Sequence, residues 1–294
     1  MTTSALRAPF AWYGGKSRVA GEIWRRLGNP DYYIEPFAGS LACLLARPDG
    51  QRGRLETVND ADAFLTNFWR AARDKPAAVV KHSAHPRNKL EMQARHRSMQ
   101  SAKAQLAESL LSNPTWCDPK LAGWWLHGIC GSFGEAWLRR KYAQQPSMKL
   151  GGILLRTPRE RRERMTAIAE RLAGVRVCHG DWLSVLTPIQ IGMRDRSATT
   201  GIVLDPPYAG VSVSYGEGGR GGCGMSSSVR EWAIEHDTDP RLRIALCGYE
   251  GEHKMPDSWD CYAWASSGGL SRNKSHGTAN RFRERIWFSP GCLS

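Results

Sequence analysis

Asp205-Pro206-Pro207-Tyr208 is the stretch of this chain best equipped for chemistry. The residues before it, Gly201-Ile202-Val203-Leu204, read as a short buried strand. Asp205 therefore falls at the carboxyl end of a strand, where open α/β sheets bind their ligands. Neither proline carries an N–H, and both have a fixed φ, so the carbonyls here point rigidly instead of pairing in a ladder. One carboxylate plus free carbonyls, with an aromatic ring alongside, suits an exocyclic amine gripped N–H by N–H while its flat ring stacks on Tyr208. The competing reading is a proline-rich turn that only closes a strand, and the rest of the chain decides between them.

Three other stretches supply companions. Tyr32-Tyr33-Ile34 followed by Glu35-Pro36-Phe37-Ala38-Gly39-Ser40 and the apolar run 41–46 predicts strand, glycine turn, helix. Glycine in such a turn lets the backbone approach a ligand, and the helix start offers free N–H groups. About twenty residues on, Leu55 to Asp60 reads as a second strand ending in a carboxylate, where nucleoside-binding α/β folds hold a ribose. Gly180-Asp181-Trp182 closes a further strand, 175–178, and its carboxylate and ring could take the amine and face of a purine. Pro9 to Lys16 ends in Gly14-Gly15-Lys16, which is too short for a phosphate loop and by itself is a capped turn. The helix after it has Ser17 as the expected N-cap, Val19, Ile23 and Leu27 as its buried stripe, and Gly28 as its stop.

The elements that position these residues lie at the two ends of the chain. The net charge of +13 is carried almost entirely by residues 70–176, which hold 21 Lys/Arg against 8 Asp/Glu. A localised excess of this kind suits a polyanion, although a solvated basic face is the alternative. The middle stretch reads as helical: an amphipathic helix over 64–73 ending at Lys75-Pro76, another over 88–112, and a Trp-rich segment with Arg139-Arg140-Lys141. Thr157-Pro158-Arg159-Glu160 is a capping box that opens a helix burying Met165, Ile168 and Leu172. Arg159, Arg161, Arg162 and Arg164 on its first turns suit phosphate contacts, and the tryptophans beside them suit base stacking or simply the core. Residues 209–228 read as a loop rich in Gly and Ser, followed by a short helix over 229–236. Strands are expected over 243–248, 259–265 and 285–289, and the polar, basic stretch 266–283 could touch a phosphate backbone. Eight cysteines without a C-x-x-C pair give no zinc spacing and point to free thiols in a reducing compartment. No apolar run is long enough to span a bilayer, so a soluble, cytoplasmic protein is expected.

Taken together, Trp12 to Lys16, Glu35 to Ser40, Asp60, Asp181 and Asp205 to Tyr208 resemble the Dam-type DNA adenine-N6 methyltransferases. More narrowly, they look like phage-encoded members whose recognition domain lies between the cofactor motifs and the catalytic motif. The ending Arg281 to Pro290 is similar to that of such enzymes. The resemblance implies a Rossmann-like α/β sheet with an inserted, mainly helical recognition domain. Residues 1–75 and 177–294 would form the catalytic part and 76–176 the insert. It implies S-adenosyl-L-methionine as cofactor and duplex DNA as partner, with the target base flipped out and no metal. Trp12, Tyr13 and Lys16 would border the methionine end. Glu35, Pro36, Phe37, Gly39 and Ser40 would form the cofactor loop, Asp60 would take the ribose, and Asp181 with Trp182 the adenine. Asp205, Pro206, Pro207 and Tyr208 would be catalytic, and Tyr215 an extra aromatic clamp. The family often has a second glycine near position 41, where this chain has Leu41, so the turn rests on Gly39 and Ser40. Two alternatives stay open: transfer to cytosine N4 or to RNA adenine, and a catalytically silent protein that binds cofactor and DNA. A monomer or weak dimer is expected.

Overall fold

The computed structural model describes residues 6–12, 14–48, 50, 53–86, 88–131, 152–192, 195, 197–208, 223–265 and 282–294. In chain order, the elements among them are α1 (Ala20–Leu27), β1 (Tyr32–Glu35), α2 (Ala42–Leu45), β2 (Leu55–Asp60), α3 (Ala63–Asp74), α4 (Pro76–His82), α5 (Lys89–Ser112) and α6 (Pro119–Gly131). They continue with α7 (Pro158–Leu172), β3 (Arg176–His179), β4 (Thr200–Leu204), α8 (Cys223–Glu235), β5 (Leu242–Tyr249), β6 (Asp260–Ala263) and β7 (Glu284–Phe288). The chain divides into two compact units, Met1–Gly15 with Asp62–Gly180, and Lys16–Ala61 with Asp181–Ser294. The first fifteen residues and α3 thus group with the basic middle stretch, where the sequence suggests boundaries at 75/76 and 176/177.

The sheet unit is built on short apolar strands. β1 pairs in parallel with β2 on one side and β4 on the other, and β4 pairs in parallel with β5. β7 runs antiparallel to β5 and carries β6 on its far edge. Every residue of β4 is buried, as expected for a parallel strand covered on both faces. This mixed, mostly parallel arrangement is the Rossmann-like α/β fold. α1 buries Val19, Ile23 and Leu27 as the spacing predicts, and Gly28 ends it at φ +63°. Ser17 does not cap it. Val19 occupies that position without a side-chain bond, because Lys16 O already receives the N–H groups of Val19 and Ala20.

The helical unit is organised by α3, which is not amphipathic as expected. All ten residues from Ala63 to Ala72 are buried. α4, α5, α6, α7 and β3 pack around it and leave these ten residues no solvent face. Phe10, Phe68, Trp69 and Trp125 form its aromatic core, with ring centroids 4.9–5.6 Å apart. Lys75-Pro76 ends α3 and also starts α4, with proline in the first turn where its missing N–H costs nothing. Asn88 caps α5 through Glu91 N, and the Thr157–Glu160 capping box is present on α7. The sequence places a loop over 209–228, but α8 already begins at Cys223. Gly224 and Ser226 to Ser228 are therefore helical despite low intrinsic propensity, with Ser226 buried and donating to Glu252 Oε1 at 2.6 Å.

Candidate active site

The site lies in the sheet unit, at the carboxyl ends of β1, β2 and β4. β1 and β4 are neighbours with Ile34 opposite Ile202, a register that puts Glu35 level with Val203 and Asp205 two residues further along at the same end of the sheet. Asp205 follows the last buried residue of β4 and keeps a quarter of its side chain exposed. Lys16 comes to it from 189 residues away: Nζ donates to Asp205 Oδ2 at 2.8 Å while itself only 4% exposed. Burial alone would lower the Lys16 pKa, but the charges of Asp205 and Glu284 and the Asp205 hydrogen bond outweigh it and hold the ammonium charged. The same Nζ stands 5.2 Å from the Tyr208 ring centroid and 5.9 Å from that of Trp264. Tyr208 is buried, edge-on to Tyr249, and its hydroxyl donates to Glu284 Oε2 at 3.0 Å. Burial and then the charge of Asp205 push the Tyr208 pKa well up, so the phenol keeps its proton. Pro206 is buried and Pro207 half-buried. The buried thiols of Cys43 and Cys247 are pushed up by burial and by Asp205 and Glu35, which puts both carboxylates in one electrostatic neighbourhood.

The glycine loop is held from β2. Gly39, at φ +46°, donates its N–H to Asp60 Oδ2 at 3.0 Å. Ala38 N donates to Asn59 O at 2.8 Å, and Asn59 Nδ2 donates to Pro36 O at 3.1 Å. Glu35 is buried, and its Oε1 accepts from Tyr33 O–H at 2.6 Å and from Leu44 N at 2.7 Å. It thereby satisfies one of the donors at the start of α2. Ser40 is buried as well. Leu41 is the one non-glycine residue at positive φ (+52°) among the described residues. An L-residue there costs about 1–2 kcal/mol. Full burial of the leucine side chain offsets this by a comparable ~1.5–3 kcal/mol. The turn that the family pattern closes with glycine is here closed by packing.

Asp181 is exposed and caps the turn over Trp182–Val185 through Leu183 N at 2.9 Å. Trp182 is buried and lies nearly parallel to Phe37, with centroids 6.0 Å apart and 25° between planes. Trp232 stands edge-on to Trp182 at 6.4 Å and stacks on His236. The structure therefore brings Lys16, Asp205 and Tyr208 into one cluster, Gly39 and Asp60 into another, and Phe37 and Trp182 into a third. Trp12 belongs to the helical unit, edge-on to Phe10. Tyr13, Arg139, Arg140, Lys141 and Tyr215 lie outside the described residues, as does almost all of 266–283.

On α7, Arg159 is exposed and pairs with Glu163 at 2.7 Å, and Arg162 is exposed. Arg161 donates to Arg156 O at 2.9 Å, and Arg164 donates to Arg7 O at 2.7 Å, so these two are partly occupied within the unit. Glu284, Tyr249, Trp232 and Trp264 were not singled out by sequence. For Glu284 a signal existed, since it precedes the apolar Ile286-Trp287-Phe288 on a strand where a carboxylate is unusual.

A Rossmann-like sheet whose strand-end loops gather a glycine turn, an aromatic pair and a partly exposed carboxylate is consistent with a methyltransferase-type α/β fold. Residues 12–98 match the family of D12 class N6 adenine-specific DNA methyltransferases. No curated protein matches the sequence. Among the described residues no helix is long and apolar enough to cross a membrane, and no group of three potential metal ligands is found.

Proposed function

We propose that the chain transfers a methyl group from S-adenosyl-L-methionine to the N6 amine of an adenine flipped out of duplex DNA. The carrying observation is the Asp205 corner: a strand-end carboxylate with Lys16 on Oδ2 and no hydrogen-bond partner on Oδ1 among the described residues. The adenine amine is a weak nucleophile because its lone pair is delocalised into the ring. Asp205 Oδ1 and the Pro206 carbonyl would accept its two N–H groups and so localise the lone pair. Lys16 fixes the carboxylate's rotation, and Tyr208 offers a held ring face for the base. The cofactor, when bound, supplies a methyl on a sulfonium. The residues present fit it. Gly39 allows close backbone approach, Phe37 and Trp182 give near-parallel aromatic faces for an adenine, and Asp60 and Asp181 stand at the loop ends for ribose and amine. Arg159 and Arg162 are the phosphate contacts the helical unit would offer.

The test is transfer of a labelled methyl group from cofactor to unmethylated duplex DNA, with nucleoside analysis of the product. N6-methyladenine is expected from the wild type. Asp205→Ala should cut turnover by at least about 10²–10³-fold while cofactor affinity stays within a few-fold. Equal turnover by that variant, or N4-methylcytosine as the product, refutes the assignment.

A further inference from the structure

Glu284 is a buried carboxylate for which the reaction outlined above has no use. It stands on β7 at 4% exposure, and among the described residues its side chain has one hydrogen-bond partner, the Tyr208 hydroxyl at 3.0 Å. Holding β7 in the sheet does not require it, because that strand is paired through its backbone to β5 and β6. A buried carboxylate is costly to keep, and nothing in strand packing asks for one at this position. Burial raises its pKa, the Lys16 charge opposes the rise and Asp205 adds to it, so the group belongs electrostatically to the Lys16–Asp205 cluster.

Tyr208 is where this connection leads. Its ring is braced on one edge by Tyr249 at 4.6 Å and faces Lys16 Nζ at 5.2 Å, but neither contact fixes the far end of the ring. The Glu284 carboxylate does. We propose that Glu284 is a positioning residue that, through the Tyr208 hydroxyl, sets the plane of the ring on which the target base stacks. The angle at which the amine meets Asp205 is then set by a residue 76 positions beyond the tyrosine. This inference rests on the reading of the site under Proposed function.

Single-turnover methyl transfer to unmethylated duplex DNA of mixed sequence tests it, with cofactor affinity and thermal melting measured on the same proteins. Tyr208→Phe and Glu284→Ala should each slow the chemical step about 10-fold without changing cofactor affinity. The double variant should be within about 2-fold of the slower single, because both remove one interaction. Glu284→Gln, which keeps an acceptor for the hydroxyl, should stay within about 3-fold of wild type. If Glu284→Ala does not fold, Tyr208→Phe and Glu284→Gln carry the test alone. Multiplying effects in the double variant, a Tyr208→Phe rate equal to wild type, or Glu284→Gln as slow as Tyr208→Phe would each overturn the proposal. A wild type that transfers no methyl group overturns the reading of the site itself, and that outcome is seen before any variant is compared.

Discussion

Two buried cations, one in each unit, are used in opposite ways. Arg70 in α3 is 1% exposed and gives its guanidinium to backbone carbonyls: Nε to Val177 O, and Nη1 to Leu110, Asn113 and Trp116 O. Lys16 is 3% exposed and gives its ammonium to a carboxylate that still reaches solvent. Arginine's rigid fork suits the first task, because it can tie β3, the end of α5 and the segment after it to α3 at once. Lysine's compact charge suits the second, in which one oxygen of a carboxylate must be held while the other is left for something else. Burial of a charge does not by itself mark a functional site. The partner marks it: saturated backbone carbonyls make a clamp, and a half-open carboxylate makes a place for chemistry.

The comparison breaks most visibly at Arg70. Arg70→Met should destabilise the helical unit by about 2 kcal/mol or more, since the buried Val177 and Leu110 carbonyls each lose a donor at about 1–3 kcal/mol. Denaturant unfolding followed by circular dichroism reads this. A change below about 1 kcal/mol would mean that the carbonyls find other donors and that Arg70 is no clamp.

Lys16→Met should behave in the reverse manner. Asp205 is exposed enough to be hydrated once its partner is gone, so stability should change by no more than about 1–2 kcal/mol. Turnover should fall about 10²-fold, because the carboxylate loses the contact that sets its rotation. Methyl-transfer assays and melting curves on one preparation separate the two effects. A variant that is inactive only because it is unfolded would erase the distinction between the two cations.

What was legible in the sequence is what short-range chemistry determines. The stripe Val19-Ile23-Leu27, the helix over 88–112, the Thr157–Glu160 box and the strand running into Asp205 are each encoded by nearby residues, and all are present. The likeness of residues 12–98 to adenine-N6 DNA methyltransferases could also be read from the sequence. Features set by distant neighbours could not. α3 looks amphipathic in isolation, yet Ala63 to Ala72 are all buried because α4, α5, α6, α7 and β3 surround them. Cys223 to Ser228 has a loop's composition, yet tertiary contacts such as Ser226 with Glu252 hold it helical. The Lys16–Asp205 bond spans 189 residues, and the Tyr208–Glu284 bond spans 76. Neither leaves a periodic trace, although a carboxylate in an apolar strand is a hint that can be searched for.

The smallest effect sharpens the contrast on a single helix. Along α7, Arg159 and Arg162 point to solvent, whereas Arg164 is drawn back to the Arg7 carbonyl and has its pKa lowered by burial. The Arg159–Glu163 pair is a surface ion pair, worth about 0–1 kcal/mol, so a phosphate can replace the glutamate at little cost. If the two outward arginines touch phosphates, removing both should reduce the slope of log affinity against log salt by about 1.8, near 0.9 per contact. Arg164→Ala should leave that slope unchanged and instead lower the melting temperature, because the Arg7 carbonyl loses its donor. Fluorescence titration of duplex DNA at several salt concentrations measures the slopes. Equal slopes for wild type and the Arg159/Arg162 double variant would confine α7 to a structural role, and all three arginines would then belong with Arg70 instead of with a DNA interface.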